Sequence, residues 1–257
     1  MIELGRVKGL FDISGKVALI TGAAGTLGAA FAEALASEGS KIFLIDRRGR
    51  DLSKVASDLQ GVGCEWLEAD LTKEEDINRA FGRCEESVGH INILVNSVGD
   101  SVYKPTLELS LAEWNRVISV NLTSAFLCSR RAAKSMIEAG IRGKIINVAS
   151  IYGLRADRFP IAAYYSSKAG LVNLTKALAV EWARYGINVN AIAPSFVSSR
   201  LTRVEDLKSR EYVVNRTPHP RLAQPEDLLG ALIFLASSAS DYVTGQVIAV
   251  DGGWCAW

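Results

Sequence analysis

Tyr164 and Lys168 stand four residues apart within residues 163–185, a stretch whose apolar pattern predicts a helix. That spacing puts both on one face, one turn apart. A phenol is a poor base near neutrality, with an ordinary pKa of about 10, but an ammonium beside it favours the phenolate. Such a pair can take a proton from an alcohol or return one to a carbonyl. Tyr165 is the competitor, three residues from Lys168 and about 100° round the helix from Tyr164; it reads most simply as a core aromatic. Ser150 closes the predicted strand around 144–148. Ligands of parallel α/β sheets bind beyond the carboxyl ends of the strands, where a serine hydroxyl can donate to a substrate oxygen as charge develops on it. The plainer reading is a turn or cap serine; beside Tyr-x-x-x-Lys the catalytic reading is taken.

A second constellation supports redox chemistry. TGAAGTLG, residues 21–28, follows the first predicted strand and runs into a helix. Glycines allow a tight turn and close approach of backbone to a pyrophosphate, and the helix start offers free N–H groups and a positive dipole end. Gly22, Gly25, Thr26, Leu27 and Gly28 are therefore candidates for cofactor binding. Asp46 ends the second strand, eighteen residues beyond Gly28. A carboxylate there accepts from adenosine ribose hydroxyls and repels a 2′-phosphate, which predicts NAD over NADP. Arg47 and Arg48 follow directly and could pair with such a phosphate; their plainer role is a solvated surface pair.

The elements that must position these groups alternate. Residues 16–21, 41–45, 64–68, 91–95, 144–148, 187–192 and 246–250 read as strands, several of them nearly continuous apolar runs of the kind buried on both faces. Helical patterns lie at 26–37, 50–60, 73–87, 111–138, 163–185 and 225–237. Repeated β-α-β order predicts an α/β fold: a single-domain, Rossmann-type, doubly wound parallel sheet of about seven strands with helices on both faces. No linker or repeat divides residues 1–257. The longest irregular stretch, 194–220, is expected to be a substrate loop or lid.

TGAAGTLG, NSVG at 96–99, Asn121, Ser150, YYSSK at 164–168 and the terminal YVTGQVIAVDGG together resemble the short-chain dehydrogenase/reductases, in the right order over nearly the whole chain. The family pattern Tyr-x-x-x-Lys selects Tyr164. The resemblance implies catalytic roles for Asn121, Ser150, Tyr164 and Lys168, with Asn121 bending its helix and its carbonyl holding a water that links Lys168 to solvent. It also implies that Asp70 and Leu71 lie at the adenine, that Asn96 supports the cofactor pocket, and that Pro194, Tyr164 and Lys168 contact the cofactor. Three departures stand out: Thr26 replaces the middle glycine of Thr-Gly-x-x-x-Gly-x-Gly, Ser195 follows Pro194 where glycine is usual, and one extra residue separates Ser150 from Tyr164, placed around 157–160.

Composition excludes other chemistries. The 257 residues carry a net charge of +1, which steers nothing toward nucleic acid or an anionic membrane. Two histidines and four cysteines without a CxxC pair give no metal site, and reduced thiols are expected. The opening residues lack a signal-peptide core, so a cytoplasmic protein is expected. A Gly-rich-loop NTPase fails for want of Gly-Lys-Ser/Thr. A catalytically silent nucleotide-binding protein of the same fold would not need Ser150, Tyr164 and Lys168.

The substrate is less legible. RTPHPRLAQPEDLLGA at 216–231 and the tail DGGWCAW resemble short-chain enzymes related to gluconate dehydrogenases, which implies a sugar acid or polyol oxidised at a secondary hydroxyl. The rival is a 3-oxoacyl thioester or other carbonyl reductase. Arg155, Arg158, Arg200, Arg203, Arg210 and Arg216 flank the expected pocket, and arginine grips carboxylates bidentately, though any single one reads first as a surface charge. Apolar residues spread round 163–185 predict a face left for a subunit contact, hence a homo-oligomer; the number four, a homotetramer, comes from the family resemblance.

Overall fold

The structure, a computed structural model, describes residues 6–47, 49–59, 63–198 and 207–257. After a short helix α1 (Arg6–Leu10), the chain builds β1 (Val17–Thr21), α2 (Thr26–Ser37), β2 (Lys41–Asp46), α3 (Leu52–Asp58), β3 (Cys64–Glu68), α4 (Glu74–Ser87) and β4 (Ile93–Asn96). It continues through α5 (Leu111–Ile118), α6 (Ser124–Glu138), β5 (Lys144–Val148), α7 (Ala162–Trp182), β6 (Asn188–Pro194), α8 (Leu207–Arg216), α9 (Leu229–Ala236) and β7 (Val247–Val250). The seven strands form one parallel sheet in the order β3-β2-β1-β4-β5-β6-β7. The expected doubly wound architecture is therefore present, with its switch point between β1 and β4.

The period of two along each strand divides the core. Ala18, Ile20, Ile42, Leu44, Val95, Ile146 and Ile192 point to one face, where Phe31 and Leu35 of α2 and Leu232 and Leu235 of α9 cover them. Leu19, Phe43, Ile45, Leu94, Ile145 and Val189 point to the other, against Phe81 of α4, Met136 of α6 and Leu178 and Trp182 of α7. Strands covered on both sides need no polar alternation, which is why they read as continuous apolar runs. A buried polar ladder stitches the middle of the sheet: Asn96 Nδ2 donates to Ser129 Oγ and Asn147 Oδ1, and Asn147 Nδ2 donates to Thr175 Oγ1. No helix among the described residues is long and apolar enough to cross a membrane.

Three sequence expectations change. The predicted helix 111–138 is interrupted by a π-helical turn at Ser119–Thr123. The stretch 194–220 is not wholly irregular, because it contains α8; this helix has a modest apolar content and follows residues 199–206, which lie outside the described set, as do Arg200, Arg203 and Arg48. The broad apolar face of α7 is mostly consumed inside the chain: Leu171, Val172, Leu178, Ala179 and Trp182 are buried, and Ala169, Ala177 and Val180 are what remains in solvent. The sheet is not its only cover, since α5, α6 and the turn after Ser150 also pack against it.

Candidate active site

The carboxyl ends of β1, β2, β4, β5 and β6 bring the candidates together. Ser150 lies two residues beyond β5 in extended backbone, and its Oγ accepts from the Tyr152 N–H at 3.1 Å, capping a short 3-10 turn. The same hydroxyl lies beside the phenol of Tyr164 and favours its ionised form. The cap reading is thus met, and the same side chain reaches toward Tyr164. Lys168 is 3% exposed; its Nζ donates to the Val148 carbonyl at 2.7 Å and lies 5.7 Å from the centre of the Tyr164 ring. Burial pushes its pKa down to about 8. Burial pushes the Tyr164 phenol above its ordinary value, against the lowering effect of the Ser150 hydroxyl. This direction is opposite to the sequence expectation of a phenol drawn down by Lys168: desolvation of the phenol is the largest influence on it.

Tyr165 behaves as the core aromatic it was read to be. Its hydroxyl donates to the Asp157 carbonyl and accepts from the Asp157 N–H, and its ring meets Tyr152 edge-on at 4.9 Å. Asn121 sits within the π turn, 1% exposed. Its Oδ1 accepts from the Asp100 N–H at 2.8 Å, and its Nδ2 donates to the Asp100 carbonyl and to Ser167 Oγ, both at 2.9 Å. Ser167 Oγ in turn donates to the Tyr164 carbonyl. The side chain of Asn121 therefore clamps the loop after β4 to the catalytic helix, a connection the sequence did not disclose.

The loop between β1 and α2 fits a dinucleotide pyrophosphate. Gly22 adopts φ +67°, and a Cβ on it would lie 2.9 Å from the Ser97 carbonyl. A Cβ on Gly28 would fall inside the contact shell of the Gly22 carbonyl oxygen and 2.8 Å from Ala23 Cα. Gly25 is the N-cap of α2, with no side chain capping the helix, so its first N–H groups and dipole face outward. Thr26, at the usual glycine position, is exposed on the first turn; Leu27 packs partly against the core. Asp46 is fixed across this loop, with Oδ2 accepting from Ala24 N–H at 3.0 Å and Oδ1 from Arg47 N–H at 2.8 Å.

Asp70 lies two residues beyond β3, exposed, its Oδ1 occupied by the Thr72 N–H and hydroxyl. Leu71 turns its side chain into the core, so only its main chain faces a ligand. Asn96, 4% exposed, spends its amide nitrogen on the ladder, and its Oδ1 has no partner among the described residues. Its amide nitrogen is thus committed within the sheet rather than free for a ligand. Pro194 ends β6 beside Val250 of β7.

Sequence reading missed the cluster above these strand ends. Tyr152, Phe159, Tyr165, Phe196, Tyr212 and Trp254 pack together with Tyr164 against them. They come from separate segments without periodicity, so no sequence pattern signalled them.

A family profile described as enoyl-(acyl carrier protein) reductase matches residues 22–255. The chain belongs to this family, the short-chain dehydrogenase/reductases, and is an oxidoreductase of the nicotinamide-dependent kind. Among its relatives, the 2-dehydro-3-deoxy-D-gluconate 5-dehydrogenase of Escherichia coli is 39% identical over 96% of this chain and 98% of its own. The 3-oxoacyl-(acyl-carrier-protein) reductase of Aquifex aeolicus is 36% identical over 94% and 98%. The crystal structure of a gluconate 5-dehydrogenase from Burkholderia cenocepacia in complex with NADP and tartrate superposes with a TM-score of 0.93 at 34% identity, covering 98% of this chain and 99% of that one.

Proposed function

We propose that this protein is a dehydrogenase that oxidises a secondary hydroxyl of a sugar acid or related polyol, with NAD preferred. The observation that carries the reading is buried Lys168, anchored on the Val148 carbonyl, 5.7 Å from the ring of Tyr164, with the Ser150 hydroxyl beside that phenol. Ser150 would donate to the substrate oxygen, Tyr164 would take its proton, and Lys168 would favour the phenolate when charged. The Asn121 carbonyl, in the π turn, would lead that proton outward. A bound nicotinamide dinucleotide supplies the hydride acceptor. Gly22, Gly25, Thr26, Leu27 and Gly28 would hold its pyrophosphate, Asp46 its ribose, Asp70 and the Leu71 main chain its adenine, and Asn96, Pro194, Tyr164 and Lys168 its nicotinamide side. The chain acts as one dinucleotide-binding and catalytic unit in this reading, cytoplasmic, with 194–220 over the substrate.

The sugar-acid class draws support from the E. coli and B. cenocepacia relatives, and the thioester alternative from the A. aeolicus relative. Measuring kcat/KM for gluconate-type acids, neutral polyols and 3-oxoacyl thioesters, each with NAD(H) and NADP(H), separates them. Highest values for an acid with NAD are expected. Turnover of thioesters alone refutes the substrate class, and an NADP preference, of the kind that the NADP bound in the B. cenocepacia enzyme favours, refutes the role given to Asp46.

The pH dependence follows from the direction of the Tyr164 shift. A phenol pKa raised by burial leaves the acid form dominant at neutral pH. That form donates to a carbonyl; the base form, needed for alcohol oxidation, appears only as pH rises. The oxidation kcat/KM is therefore expected to keep climbing as the pH rises into the alkaline range while the reduction kcat/KM falls. An oxidation profile already flat at neutral pH contradicts this. A homo-oligomer, tetrameric by family likeness, is also proposed; light scattering at micromolar concentration is expected to give four times the 27.7 kDa chain mass, and a monomeric mass refutes it.

A further inference from the structure

The loop before Tyr164 holds an arginine in an unusual setting. The Arg158 guanidinium stacks on the Tyr212 ring of α8, 3.5 Å from its centre. Tyr212 is itself fixed: its hydroxyl donates to Asp157 Oδ1 at 2.8 Å, and its ring meets Phe159 at 6.0 Å and Trp254 at 6.1 Å, both edge-on. A guanidinium laid on a ring keeps its N–H donors in one plane and open at the edge, with part of its rotamer freedom already removed. Among the described residues, no carboxylate pairs with the Arg158 guanidinium, which is exposed.

Three other arginines near the pocket have partners inside the chain, while Arg210 of α8 is exposed. Arg155 donates to the main-chain oxygens of Trp254 and Trp257. Arg216 lies over the Trp254 ring at 4.6 Å, with its Nε 4.0 Å from Asp157 Oδ2. Arg221 is held bidentately by Asp227. Asp157 is the adjacent anion, but its carboxylate already faces Arg216, the Tyr212 hydroxyl and the Arg158 main-chain N–H. Positive charge is left over, and Arg158 presents it at the surface, held on the Tyr212 ring.

Its place is suitable. Phe159, the next residue, touches Tyr103 after β4, Tyr152 after β5, Phe196 after β6 and Tyr212 of α8, and Tyr164 packs against the same cluster. The Lys104 N–H donates to the Pro160 carbonyl at 2.8 Å, tying this loop to the one after β4. Arg158 thus directly precedes the residue at which the loops from successive strand ends meet the aromatic cluster that includes Tyr164.

We propose that Arg158 is the specificity-determining residue that grips the carboxylate of an acidic substrate while the substrate's secondary hydroxyl lies at Ser150 and Tyr164. The inference rests on the sugar-acid reading and names the group that enforces it. Arg158→Gln removes the charge, and Arg158→Lys keeps it while losing the planar fork. Steady-state kinetics on a gluconate-type acid and on a neutral polyol of equal carbon count, together with NAD affinity by fluorescence titration, test it. Arg158→Gln is expected to raise the KM for the acid by about 30-fold with kcat, NAD affinity and polyol kinetics within about threefold, and Arg158→Lys to recover part of that loss. An unchanged KM for the acid overturns the proposal, as does a parallel loss of kcat or NAD affinity, which marks a structural role. Wild-type protein that turns over no acid at all overturns the sugar-acid reading itself, which separates the two failures.

Discussion

Tyr164→Phe is expected to lower kcat for both directions by roughly 10²- to 10⁴-fold, the range lost when a positioned acid–base group is removed. The substitution deletes one oxygen and keeps the ring against its aromatic neighbours, so folding and cofactor affinity should hold. Ser150 keeps its bond from the Tyr152 N–H in the variant. Fluorescence titration with NADH and steady-state assays measure the two quantities separately. Tyr165→Phe is the necessary comparison: it removes a hydroxyl that joins both main-chain groups of Asp157, and a loss of stability without a comparable loss of kcat is expected. The reverse ranking of the two variants would move the proton-transfer role to Tyr165.

Gly28→Ala is the second large effect. A methyl group at this position overlaps the Gly22 carbonyl oxygen and crowds Ala23 Cα, all backbone atoms that no rotamer change can relieve. The loop must separate from α2, which is expected to cost about 1–3 kcal/mol of stability. It also displaces the N–H groups at the start of α2, and a misplacement of about 1 Å is enough to cost about 10²-fold in a site built on position. Gly82→Ala in α4 is the control, since nothing lies within 4 Å of its added Cβ; helix propensity makes it neutral or stabilising by up to about 1 kcal/mol. Thermal melts and NADH titrations of both variants check the contrast, and equal behaviour of the two would remove the close approach at Gly28 from the account of the loop.

The architecture was readable because the strands are simple. Runs such as VALIT and KIINV are buried on both faces, so hydrophobicity alone located them. Tyr164 and Lys168 were readable because four residues is a geometric statement in any helix. What escaped was non-periodic. The aromatic cluster is assembled from residues 152, 159, 165, 196, 212 and 254, and nothing local says that Tyr212 meets Arg158. Helix α8 escaped because its sequence, LKSREYVVNR, is polar on most sides and is held by Val213 and Tyr212 entering that cluster rather than by an apolar stripe. The direction of the Tyr164 shift escaped for a different reason: spacing reports the neighbouring charge but not how dry the phenol is. The face of α7 was over-read, because composition counts apolar residues without saying how many elements cover them.

The π turn at Ser119–Thr123 holds one more residue than an α turn would, and the Ser124 N–H reaches back five residues to the Ser119 carbonyl. It is in effect a phase joint. Each added residue turns a helix by about 100°, so α5 and α6 are set out of phase on one nearly continuous rod. The upstream half is free to address the pocket mouth, with Glu113 on Lys104 and Arg116 on Asp100. The downstream half still delivers Cys128, Ala132 and Met136 to the core. The catalytic clamp therefore hangs on a count of residues and not only on the identity of Asn121: any change that lets this turn relax to regular α-helix swings the asparagine away from Asp100 and Ser167 while leaving every one of the three in the sequence.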